Sequence, residues 1–115
     1  MRAAEQFMDG NAETLTLCIL QRDLKGRDDM ARGSIARSFG ADNIVAIAIA
    51  PGWVRTEMAR EFVSRFGEAV AVADIPIGRM AEPSEIAELV SFALRSSQRS
   101  LSGATLDVNG ASYIR

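Results

Sequence analysis

The residues best placed to do chemistry form one short stretch, Pro51 to Met58, with the sequence Pro-Gly-Trp-Val-Arg-Thr-Glu-Met. It follows the apolar, β-branched run Ile44 to Ala50, which is typical of a strand covered on both faces in a parallel sheet. Pro51 has no N–H to donate and Gly52 accepts dihedrals that other residues resist, so the chain leaves the sheet here. Because ligands of open α/β sheets bind beyond the carboxyl ends of strands, this stretch is the first candidate for a binding site. An ordinary exit loop is the alternative.

The residue types that are missing exclude several kinds of site. The chain has no histidine and one cysteine, Cys18. A zinc site of the Cys/His kind, a Ser-His-Asp triad and a Cys-His pair are therefore excluded, and no metal is predicted. Between Leu17 and Ile19, Cys18 is typical of a small buried hydrophobic residue rather than a nucleophile.

The charge and hydropathy of the chain indicate which classes of partner and which cellular compartment to expect. Thirteen basic and fifteen acidic side chains give a net charge of −2 without a long run of either sign, which argues against nucleic acid and anionic membrane as partners. No segment has the apolar length needed to span a bilayer, and the first residues lack the apolar core of a signal peptide. We expect a cytoplasmic protein.

The chain is expected to form one domain, since 115 residues are too few for two. Its hydrophobic periodicity predicts an α/β fold. Residues 1 to 13 have no clear period. The other segments predict alternating strands and helices: a strand over 14–20, a helix from Asp28 or Asp29 to Gly40, a strand over 44–50, a short amphipathic helix over 59–66, a helix starting at Pro83, and a strand over 104–108. The strands at 44–50 and 104–108 are predicted to be parallel neighbours joined by a right-handed crossover.

Three segments, taken together, resemble the carboxyl-terminal part of the short-chain dehydrogenase/reductase family. They are Asn43 to Met58, Ile75 to Ala87, and Leu101 to Gly110, in the order and spacing of that family. The likeness covers roughly residues 31 to 112. It implies an incomplete, Rossmann-type, doubly wound parallel sheet over 31–115, preceded by an atypical segment over 1–30.

The resemblance also implies a function: transfer of hydride between NAD or NADP and a small-molecule carbonyl or alcohol. Pro51, Gly52, Val54 and Thr56 would bind the cofactor, with the Val54 backbone at the nicotinamide carboxamide and the Thr56 hydroxyl at the carboxamide or the pyrophosphate. Residues 59–73, called the flap below, would face the substrate, although plain packing is the alternative. The last helix and strand would form a homo-oligomer interface.

The sequence departs from the family's pattern in its first part. The glycine-rich phosphate loop and the catalytic Ser have no counterpart in these residues. A gap-free alignment puts Gln21 at the catalytic Tyr and Lys25 at the catalytic Lys. Gln cannot replace a phenol in proton transfer, whereas Lys25 is a candidate catalytic residue or a surface residue in a charged stretch.

Two hypotheses about the function therefore stay open. The first is a truncated, catalytically incomplete oxidoreductase, for which a start site inside a longer reading frame or an upstream frame disturbance is one explanation. The second is a non-catalytic assembly module that docks onto full-length family members. A third possibility is a product without function. A parallel pair of strands needs cover on both faces, and two strands with two or three helices offer little of it. We therefore also expect the isolated chain to self-associate or to be poorly soluble.

Overall fold

A four-stranded sheet forms the centre of the computed structural model, which describes residues 4–8, 15–20 and 27–114, with side chains described from residue 32. The sheet order is β1 (Ala4–Met8), β2 (Leu15–Leu20), β3 (Ile44–Pro51) and β4 (Thr105–Val108). β1 is antiparallel to β2, and β2, β3 and β4 are mutually parallel. The predicted pairing of 44–50 with 104–108 is confirmed, with Ala48 opposite Thr105.

The helices lie between the parallel strands in the sequence, as an α/β fold requires. They are α1 (Arg27–Phe39), α2 (Glu57–Phe66), α3 (Glu68–Val72) and α4 (Pro83–Ala93), with 3-10 turns at Gly40–Asp42 and Ser96–Leu101. The predicted helices at 28–40, 59–66 and from Pro83 are confirmed. The strand β1 and the short helix α3 were not predicted. Within the described ranges, no helix is both long enough and apolar enough to cross a membrane.

β3 is the most buried element of the fold. Ala46, Ile47, Ala48 and Ile49 are each at most 1% exposed, because neighbouring strands flank β3 on both sides and helices cover it. This explains why the run lacks polar alternation. Val45 and Ile47 pack with Ala93 of α4.

The flap and the segment that follows it, to Met80, share a hydrophobic core. Ala59, Ala71, Ile75 and Met80 are buried together, and Phe62, Val63 and Val72 pack against them. None of these residues belongs to the cluster beneath α4. The flap is therefore stabilised separately from the sheet, and its position depends on the contacts that join it to the exit of β3.

Candidate functional site

The exits of β3 and β4 approach each other closely at Gly52. Its N–H donates to the Val108 carbonyl oxygen at 3.0 Å. A Cβ built on Gly52 would lie 2.8 Å from Asn109 Cβ, closer than real Cβ atoms essentially ever come to another atom, and 3.0 Å from Asn109 Cα, which is tighter than nearly all such contacts. The absence of a side chain at Gly52 thus lets the carboxyl ends of two parallel strands meet, which is where open α/β sheets bind ligands.

The loop after Gly52 is fixed to the segment before α4. The Ala81 N–H donates to the Trp53 carbonyl and the Arg55 N–H donates to the Ala81 carbonyl, both at 2.9 Å. Val54 and Ala81 thereby form an isolated parallel bridge. The Val54 carbonyl accepts the Thr56 N–H at 2.8 Å. The backbone around Val54 is held in place before any ligand arrives.

Thr56 begins α2. It is the N-cap, in an extended conformation, and its Oγ1 accepts the Ala59 N–H at 3.5 Å. A threonine hydroxyl has one hydrogen to donate besides its acceptor lone pairs. The acceptor side of the exposed Thr56 hydroxyl therefore serves the helix, while its O–H can still donate to a ligand.

Arg55 joins the flap to the start of α4. Its Nη2 lies 2.7 Å from Glu68 Oε1, at the start of α3, and its Nε lies 3.1 Å from Glu82 Oε1, at the N-cap of α4. The hydrogen bond and charge of Glu68, followed by those of Glu82, raise the pKa of Arg55. The hydrogen bond from Arg55 lowers the pKa of Glu68. These exposed ion pairs orient the flap more than they stabilise it.

A second pair fixes the start of α4 and so the position of Ala81. Arg79 binds Glu85 through two hydrogen bonds of 2.8 and 3.0 Å, and the Glu85 carboxylate also accepts the Glu82 N–H at 2.7 Å. The hydrogen bond from Arg79 and then that from the Glu82 backbone lower the pKa of Glu85 to about 2. Glu82 and Glu85 form a reciprocal capping box, and Pro83 begins the helix.

An aromatic row connects the loop to the flap. The Trp53 and Phe62 ring centroids are 4.9 Å apart, and the Phe62 and Phe66 centroids are 4.7 Å apart, both in tilted geometry. Trp53 remains 39% exposed, and Met58 and Phe66 are about three-fifths exposed, at 60% and 58%. An apolar surface therefore lies next to the polar groups of the loop.

The structure brings together the predicted residues Pro51, Gly52, Val54 and Thr56 at one edge of the sheet. Lys25 and Gln21 lie outside the described residues, and so does the side chain of Cys18. Sequence reasoning missed Ala81 and Asn109, which hold the loop through backbone contacts that give no sequence signal. Within the described part of the chain, no three potential metal ligands come together.

Comparison with known proteins identifies relatives of most of this chain. A family model described as enoyl-(acyl carrier protein) reductase matches residues 28–111. A 3-oxoacyl-(acyl-carrier-protein) reductase of Pseudomonas aeruginosa is 37% identical over 81 residues, which cover 70% of this chain and 32% of that protein. A 3alpha-hydroxysteroid dehydrogenase of Mediterraneibacter gnavus is 41% identical over 81 residues, which cover 68% of this chain and 31% of that protein.

A solved structure has the same fold over most of this chain. It is a short chain dehydrogenase family protein from Francisella tularensis subsp. tularensis SCHU S4, with a TM-score of 0.66 and 26% sequence identity. The match covers 76% of this chain and 40% of that structure. The predicted fold class, an incomplete Rossmann-type α/β sheet, is confirmed. The chain spans about a third of the length of the two relatives named above, at 32% and 31%.

Proposed function

This chain belongs to the short-chain dehydrogenase/reductase family, and from that membership we propose that its loop Pro51 to Thr56 forms the nicotinamide-facing wall of an NAD(P)-dependent oxidoreductase. The observation that carries the proposal is the loop's fixed geometry. Hydrogen bonds to Val108 and Ala81 hold its backbone at the carboxyl edge of two parallel strands. Binding groups that are fixed in advance lose little freedom when a ligand arrives.

The chemistry of the loop fits a nicotinamide carboxamide, which has both a carbonyl acceptor and an amide donor. The Thr56 hydroxyl could donate to that carbonyl or to the pyrophosphate, and the Val54 backbone would meet the carboxamide. When bound, NAD or NADP supplies the hydride that is exchanged with a carbonyl or an alcohol. The flap then faces the substrate, and the exposed rings of Trp53 and Phe66 favour a substrate with an apolar part.

We propose that this site is catalytically incomplete in these 115 residues. Gln21 stands where the family has its catalytic Tyr, and an amide side chain does not transfer a proton near neutral pH. Lys25 keeps the residue type of the family's Lys, and we propose it as the retained member of that pair. The named relatives are reductases or dehydrogenases of 3-oxoacyl and hydroxysteroid compounds, which supports a carbonyl or alcohol as the substrate class.

Variants of Thr56 test this function, with Trp53 fluorescence as the measure of cofactor binding. Trp53 is the one tryptophan of the chain and lies in the loop, so NADH or NADPH is expected to quench its fluorescence saturably. Thr56→Ser keeps both the cap and the O–H donor and is expected to bind within about twofold of wild type. Thr56→Ala is expected to weaken binding about five- to tenfold, since a hydrogen bond to a ligand group contributes roughly 1 to 1.5 kcal/mol.

Thr56→Asp separates the two roles of the hydroxyl. Aspartate is a good N-cap but has no proton to donate and repels a pyrophosphate, so it keeps α2 stable while the cofactor affinity falls at least as far as in Thr56→Ala. Thr56→Ala alone is expected to lose about 1 kcal/mol of stability by thermal denaturation. Absence of saturable quenching, or wild-type cofactor affinity in Thr56→Asp, contradicts the proposed role.

We also propose that α4 and β4 pair with a second copy of this chain or with a longer relative. β4 is an edge strand of the described sheet, and Phe92 of α4 is 39% exposed with the Arg95 guanidinium 5.5 Å above its ring. Sedimentation is expected to detect a dimer that Phe92→Asp dissociates and Phe66→Asp, on the flap, does not. A wild-type chain that remains a monodisperse monomer at high concentration argues against the pairing.

A further inference from the structure

A groove of about 630 Å³ lies at the other end of β3 from the cofactor loop. Its walls are α1 on one side and the Ser96–Leu101 turn with the two residues that follow it on the other, and the first residues of β3 close its base. We propose that this groove binds a small molecule that bears a diphosphate group. The proposal is independent of the cofactor loop, because Ile44 and Pro51 are the two ends of β3, seven residue steps or about 23 Å apart.

The side chains around the groove favour an anion. Arg32, Arg37 and Arg99 line it, and no Asp or Glu is among its lining residues in the described part of the chain. The whole protein, in contrast, has a net charge of −2. Guanidinium groups offer paired N–H donors that match the oxygens of a phosphate, so clustered arginines select for phosphate groups.

Two of the polar groups are already held in position. Arg99 Nη2 donates to Asn43 Oδ1, which fixes the guanidinium beside the start of β3 and leaves its other N–H donors for a ligand. The Ser102 Oγ accepts the Ala46 N–H at 3.2 Å, so its own hydrogen can be donated. Ser100 adds a second hydroxyl to the same wall.

Small residues leave space between these donors. A Cβ on Gly33 would find no atom within 4 Å, and a Cβ on Gly103 would lie 3.8 Å from Ala36 Cβ. The volume of the groove is within the range of about 300 to 1,000 Å³ that is typical of small-molecule sites. The guanidinium groups of Arg37 and Arg99 and the two hydroxyls are enough donors for two phosphate groups, which is why a diphosphate is the better match.

Calorimetric titration of the full chain with inorganic pyrophosphate tests the groove. Saturable binding is expected, and Arg99→Gln and Arg37→Gln are each expected to weaken it about tenfold or more, as for loss of a charge-assisted hydrogen bond. Arg65→Gln makes the same change of net charge on α2, outside the groove, and is expected to leave the affinity within about twofold. Equal weakening by Arg65→Gln, or no saturable heat with wild type, overturns the proposal.

A variant that fills the groove without destabilising the fold shows that a loss of binding is not caused by misfolding. Gly33→Leu adds a side chain in open space, and leucine is a better helix former than glycine, so α1 should be at least as stable by thermal denaturation. It is expected to abolish pyrophosphate binding, and unchanged binding contradicts the site.

A parallel titration with ADP identifies the source of the diphosphate. Tighter binding of ADP supports the groove with a nucleotide as ligand, and equal affinity supports it with a free diphosphate. Trp53 lies far from this end of β3, so its fluorescence reports on the cofactor loop and not on the groove. Cofactor binding at the loop and diphosphate binding in the groove can therefore be disproved separately.

Discussion

Gly52→Ala is expected to lose about 1 to 3 kcal/mol of folding free energy, the usual cost of overpacking, and to lose cofactor binding as well. The new methyl group would lie 2.8 Å from Asn109 Cβ and 3.0 Å from Asn109 Cα. The Cα belongs to backbone that cannot rotate away, so the exits of β3 and β4 have to separate. That movement breaks the hydrogen bond from the Gly52 N–H to Val108 and displaces the loop that follows.

The matched control is Gly33→Ala, where an added Cβ meets no atom within 4 Å. Gly33 lies inside α1, so alanine is expected to stabilise the protein by up to about 1 kcal/mol. Thermal or urea denaturation of both variants checks the pair. If Gly52→Ala is as stable as wild type, the close approach of the two strand exits is wrong.

The second large effect concerns catalysis: the 115-residue chain is expected to transfer no measurable hydride from NADH or NADPH to a ketone. Reduction of a carbonyl leaves an alkoxide that needs a proton, and a positioned general acid contributes about 10² to 10⁴ in rate. Gln21, which a gap-free alignment puts at the family's catalytic Tyr, cannot supply that proton. Loss of reduced-cofactor absorbance measures the rate, with the Pseudomonas aeruginosa reductase as the positive control.

A pair of substitutions at Gln21 tests the alignment itself. Gln21→Tyr restores a phenol and is expected to raise the rate, whereas Gln21→Phe has a similar ring without the hydroxyl and is expected to stay inactive. Equal rates in both variants, or rapid turnover by wild type, would show that residue 21 is not the position of the proton donor.

The parts of the fold that could be predicted from the sequence are those determined by residues close together in the chain. The β-branched run Ile44 to Ala50 indicated a buried strand, and its Pro-Gly exit indicated a loop at the edge of the sheet. Pro83 and the two acidic residues around it indicated the start of α4, and the structure places a capping box there. Each of these signals comes from residues that lie close together in the chain.

The contacts that fix the site were not predictable, because they join distant residues. The Trp53 and Arg55 backbones pair with Ala81, and Gly52 packs on Asn109, through groups that nearly any sequence contains. Arg55 pairs with Glu68 and Glu82 because the fold brings the starts of α3 and α4 beside it, and no local pattern in the sequence singles out these two acids. β1 has no alternation of polar and apolar residues, and its antiparallel pairing with β2 could not be inferred from its sequence.

We expect the loop Pro51 to Thr56 to bind the nicotinamide end of the cofactor. The most direct test is amide NMR of the labelled chain during titration with nicotinamide mononucleotide and, separately, with AMP. Nicotinamide mononucleotide is expected to shift the Val54 and Thr56 amide resonances saturably, whereas AMP is expected to leave them unchanged. Val54 and Thr56 resonances that do not move with nicotinamide mononucleotide, or that move equally with AMP, would contradict it.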